Sequence, residues 1–89
     1  MNIPETKDIK SIEDVRGFFK FVGDTFNVPY HPEDRWEDYD LRLPEDEIQQ
    51  LNDATDMCWE IADAADEDLC EIAMEVYTEL GLIGSIGGR

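Results

Sequence analysis

The chain has 89 residues and a mass of 10.3 kDa, with 23 acidic side chains against 7 lysines and arginines, a net charge of −16 and a pI near 4.1. That length supports one core: surface scaling gives a folded area of about 5,300 Å² against about 15,000 Å² unfolded, so about 64% can be buried. A hydrophobic fraction of 42% and an aromatic fraction of 10% exclude a disordered acidic tail, and the charge opposes direct binding of nucleic acid, which requires phosphate neutralisation by lysine and arginine.

No run of about 18 apolar residues is present, and the first ten residues, MNIPETKDIK, have no apolar stretch that could serve as a signal. The expected compartment is therefore the cytoplasm, with no membrane partner. Cys58 and Cys70 are then expected as thiols packed as small hydrophobes instead of a bridge.

Residues 1 to 10 read as an irregular lead-in. Ser11 has the character of an N-cap with Asp14 as its acidic partner, and Ile12, Val15, Phe18, Phe19, Val22 and Phe26 follow at helical spacing, which predicts a first helix over 12–26. Gly17 and Gly23 weaken it by up to about 1 kcal/mol each relative to alanine. Residues 27–44 contain Pro29, Pro32 and Pro44 with Tyr30, Trp36 and Tyr39, and read as a long connection folded back on the core, with at most one helical turn near 33–39 and a short extended piece at Leu41 to Leu43.

Pro44 suits the first turn of a second helix over 45–65, whose first acids, Glu45, Asp46 and Glu47, match the positive end of the helix dipole. Its apolar residues spread over about 200° at 100° per residue, an arc that needs two neighbours or a second protomer. Asp66 reads as the N-cap of a third helix over 67–80, patterned by Leu69, Ile72, Ala73, Val76, Tyr77 and Leu80, with Gly81 as a left-handed C-terminal stop. A glycine-rich tail, 81–89, reads as a loose end or an apolar strap. The fold class expected is all-α, one three-helix bundle.

Between Arg42 and Arg89 there is no lysine or arginine, while thirteen carboxylates fall in those residues. Asp53, Asp56, Glu60 and Asp63 recur at steps of three and four on the polar side of the second helix, Glu67 continues that spacing beyond it, and Glu71, Glu75 and Glu79 add a row on the third. Like charges at that spacing repel by a few tenths of a kcal/mol per pair. With no basic neighbours in sequence, this reads as a one-sign surface open to a basic partner.

Other chemistry finds less support. Asp34, Asp38, Asp40 and Glu45 fall at positions one, five, seven and twelve of a calcium-loop template, but Trp36 and Tyr39 occupy places that need an oxygen ligand and a glycine. Zinc lacks a paired-ligand spacing, with one histidine and two separated cysteines. His31 stands in the connection without a nucleophile at motif spacing, and the glycines follow the last helix instead of preceding one, so neither catalysis nor phosphate binding is indicated.

The segment from Asp66 to Leu80 resembles the second helix of acyl carrier proteins, but Asp68 precedes Leu69 where a carrier has its attachment serine, and the serines present are Ser11 and Ser85. In size, acidity and helical content the chain is similar to the immunity proteins that block bacterial toxin nucleases, without a matching motif. The expectation is thus a non-catalytic interaction module without metal or cofactor. It would cover a basic protein surface, for example on a nucleic-acid-binding protein or nuclease, through Asp53, Asp56, Glu60, Asp63, Glu67, Glu71 and Glu75, with Trp36 and Tyr39 as local anchors. The alternative is an assembly subunit forming a homo-oligomer through the wide apolar face of the second helix.

Overall fold

The computed structural model describes residues 3–83 and is an all-α three-helix bundle, without a strand among those residues. Its helices are α1 (Ile12–Phe26), α2 (Glu45–Ala64) and α3 (Leu69–Glu79), with 3-10 turns at Thr6–Asp8 and Trp36–Asp38. The accessible surface is 5426 Å², close to what the chain length implies.

The start of α1 follows from two short bonds. Ser11 is extended and its hydroxyl accepts from Asp14 N at 3.2 Å, which satisfies one orphaned donor of the first turn, while Asp14 Oδ2 accepts from Lys10 N, just before the cap, at 3.0 Å. Val15, Phe18, Phe19, Val22 and Gly23 form its buried face. The helix ends at Asn27, held left-handed at φ 55, whose N–H donates to Gly23 O at 3.0 Å. Gly23 permits the close approach of α1 to the end of α3: a Cβ there would lie 2.5 Å from Leu80 Cδ1 and 2.9 Å from Leu82 Cδ1. Gly17 faces open space, so the two glycines are not equivalent.

The turn between α2 and α3 corrects the expectation for Asp66. Asp66 closes α2 instead of opening α3: it is left-handed at φ 58, its N–H donates to Asp63 O at 3.1 Å, and Glu67 N donates to Ala62 O at 2.8 Å, which together make a Schellman closure. The cap of α3 is Asp68, whose carboxylate accepts from Cys70 N at 2.9 Å. The same closure ends α3, with Gly81 at φ 78 donating to Thr78 O and Leu82 N to Tyr77 O. Pro44 stands immediately before α2 as its cap and offers no side-chain bond to it. The tail expectation falls in part on residues 84–89, which lie outside the described residues; Leu82 and Ile83 pack against the core.

The lead-in is not merely irregular. Ile3 and Ile9 are buried, the turn at Thr6–Asp8 packs on α2, and Gln50 Nε2 donates to Ile3 O at 3.1 Å. The wide apolar arc of α2 is therefore covered within the chain, by α1, α3, the lead-in and the turn at Trp36–Asp38. Among the described residues, Met74 of α3 is the large hydrophobic left exposed. Leu41 and Leu43 are half-buried in non-strand backbone, and Arg42 between them is left-handed at φ 59.

Candidate functional site

The connection from Asn27 to Pro44 is folded onto α2 by its aromatics. Tyr30 and Trp36 are both fully buried and stack at a centroid distance of 3.8 Å with their planes 11° apart. Tyr39 lies against both rings at 5.0 and 6.3 Å, and Phe26 of α1 against Trp36 at 5.6 Å. Polar groups lock the stack. Asn52 Oδ1 accepts from Trp36 N at 3.0 Å, Thr55 Oγ1 accepts from the indole Nε1 at 2.9 Å, and Asn52 Nδ2 donates to Glu37 Oε1 at 2.9 Å. The amide of Asn52 bonding the charged form of Glu37 holds that carboxyl below its usual range.

Trp36 is thus withdrawn from the surface expected for a partner-binding anchor, because its ring and indole N–H are consumed by the core. Tyr39 is half-buried, its hydroxyl donating to Asp34 Oδ2 at 2.7 Å and accepting from His31 N at 3.1 Å. Tyr30 donates its hydroxyl to Asp34 O. Burial pushes the Tyr30 and Tyr77 phenols far above their usual pKa and the Cys58 thiol up to about 12.

The carboxylates expected to form the acidic surface are all exposed. Asp53, Asp56, Glu60 and Asp63 lie within about 80° of one another on α2 at 100° per residue, and Glu67 continues the row in the link to α3. The surface is not uniformly one-signed, which corrects the sequence reading. Arg16 of α1 contacts Glu75 at 3.0 Å and Glu79 at 3.3 Å, and Arg35 of the connection contacts Asp56 at 3.3 Å. Such partly exposed pairs contribute about 0–1 kcal/mol each to stability, but they cancel charge locally. Asp53, Glu60, Asp63, Glu67 and Glu71 make no ion pair among the described residues.

Two features lie elsewhere. An open groove of about 380 Å³ between α1 and α3 is lined by Arg16, Gly17, Lys20, Val76, Glu79 and Leu80. His31 and Glu33 of the connection meet Cys70 at the start of α3; the thiol of Cys70 is raised in pKa by partial burial and by the charges of Glu33 and Asp68. The calcium-template residues Asp34, Asp38, Asp40 and Glu45 form no such cluster. No family model, curated protein or solved structure matches the chain.

Proposed function

We propose that the chain is a non-catalytic acidic interaction module that covers a basic surface of a protein partner, for example the nucleic-acid groove of a binding protein or nuclease. The observation that carries this reading is the row Asp53, Glu60, Asp63 and Glu67, exposed and without an ion pair among the described residues. Carboxylates spaced in this way on a rigid helix and its closing turn give a field that steers a cationic surface from a distance and weakens with salt. Asp56 and Glu75 contribute less because Arg35 and Arg16 already neutralise them. Tyr39, half-buried at the base of the connection, supplies a contact nearer the core.

The self-associating alternative gains nothing from α2, whose apolar arc is covered by the chain itself. Among the described residues, no helix is long and apolar enough to cross a membrane, and the proposed working place is the cytoplasm. The test is capture of partners from source-cell lysate on immobilised protein, with elution by salt and by heparin as a polyanion competitor. Retention of a basic protein that heparin releases supports the reading. Retention that neither salt nor heparin disturbs opposes it.

A further inference from the structure

The fold brings together three different metal-binding side chains from segments separated by the whole of α2. His31 and Glu33 lie in the connection and Cys70 in the first turn of α3, and one ligand atom from each lies within 4.8 Å of the other two. We propose that His31, Glu33 and Cys70 bind a divalent transition-metal ion of the zinc class. One imidazole nitrogen, one carboxylate oxygen and one sulfur make a borderline-soft donor set that disfavours calcium and magnesium, which take oxygen alone. Three protein ligands leave the fourth tetrahedral position to water.

The backbone that carries these ligands is held at several points. His31 N donates to Tyr39 Oη at 3.1 Å, Asp34 N to His31 O at 2.9 Å, and Trp59 Nε1 to Pro32 O at 3.1 Å. On the other side, Cys70 N is fixed to the Asp68 carboxylate at 2.9 Å. Ligand atoms about 2.0–2.3 Å from a common zinc ion lie about 3.3–3.6 Å apart at tetrahedral angles, so closure needs side-chain rotation of about 1 Å and no backbone rebuilding.

Glu33 N donates to His31 Nδ1 at 3.1 Å and Glu33 Oε1 lies 3.9 Å from the same nitrogen, so that lone pair is already engaged. A metal ion on Nδ1 displaces this N–H as the imidazole rotates, and the exposed Glu33 amide then bonds water. On binding, the sulfur of Cys70 gives up its proton to solvent and donates the freed pair to the metal, so uptake releases one proton. Cys58 is fully buried and cannot substitute for Cys70.

The experiment is a titration of the reduced protein with cobalt(II) chloride, followed by displacement with zinc chloride. One equivalent is expected to give a thiolate-to-cobalt charge-transfer band with the visible bands of a four-coordinate ion, both abolished by zinc. Cys70→Ser should lose the charge-transfer band, and His31→Ala should weaken affinity at least tenfold. Helical circular dichroism should match wild type in both, and Glu33→Gln, an exposed position, provides a third variant with weakened binding should either lose its fold. Oxygen-only cobalt spectra at one equivalent, as a solvated acidic surface gives, overturn the proposal, as does a charge-transfer band undiminished in Cys70→Ser.

Discussion

Replacing Thr55 by valine preserves shape but removes the acceptor of the Trp36 indole N–H. Trp36 is 0% exposed and Thr55 1% exposed, and the bond between them is 2.9 Å long, so no water can take the vacated place without opening the core. A buried donor left without a partner costs about 1–3 kcal/mol. Thr55 Oγ1 also donates to Leu51 O at 2.9 Å, but that carbonyl is a helix acceptor and loses only a supplementary bond. The expected loss is about 2 kcal/mol, which lowers Tm by about 8–16 °C in a domain of this size. Urea unfolding followed by far-UV circular dichroism measures it independently of tryptophan emission. The decisive comparison is a double-mutant cycle with Trp36→Phe, which removes the donor: Thr55→Val should then cost close to nothing, giving a coupling of about 1–2 kcal/mol. Equal costs in both backgrounds would refute the view that this bond pins the connection to α2.

Three further outcomes follow from packing and burial. The Tyr77 hydroxyl is buried and has no hydrogen-bond partner among the described residues, so Tyr77→Phe should raise stability by about 1 kcal/mol; a lower urea midpoint would show that the hydroxyl is satisfied. Gly17→Ala, on the open side of α1, should add about 0.5–1 kcal/mol, whereas Gly23→Ala must displace Leu80 and Leu82 and should gain nothing, as paired thermal melts would show. Because the Cys58 thiol is raised from 9.0 to about 12 in the folded chain, the unfolded chain loses that proton first. The stabilisation this thiol supplies is complete below pH 9 and declines as pH rises toward 12, by about 1.4 kcal/mol per unit, with Tyr30 and Tyr77 adding to the fall above their usual value. Urea midpoints that stay constant from pH 8 to pH 11 would contradict it.

Local signals carried the helices. Ser11 with Asp14, the spacing of Val15, Phe18, Phe19 and Val22, and Gly81 after the last apolar residue each act within one turn, and their effect can be read from neighbouring letters. Asp66 is ambiguous in sequence because an aspartate can cap a helix start or take the left-handed position after a helix end, and the choice depends on where Ala62 and Asp63 direct their carbonyls. The lead-in reads as irregular in sequence because Ile3 and Ile9 become core only when α2 supplies the surface beneath them.

The site was less legible, since its chemistry depends on long-range pairing. Arg16 reaches Glu75 across 59 positions and Arg35 reaches Asp56 across 21, so a half-chain without lysine or arginine still acquires compensating charge. The meeting of His31 and Cys70 is likewise a product of the fold, invisible to ligand spacing. The letters around Trp36 allow a surface anchor as well as core, and the choice rests on Asn52 and Thr55, which accept from its two N–H groups across 16 and 19 positions.

The central claim is that the unpaired carboxylates do the binding. It is tested most directly by measuring the affinity of the captured basic partner against salt concentration, for wild type and for the variant Asp53→Asn, Glu60→Gln, Asp63→Asn, Glu67→Gln, both checked for helical content. The account predicts weaker binding and a shallower salt dependence for the variant, with a fold at least as stable as wild type because repulsion is relieved. Identical affinity and identical salt dependence in the two proteins, or the capture of no salt-sensitive partner at all, would contradict it.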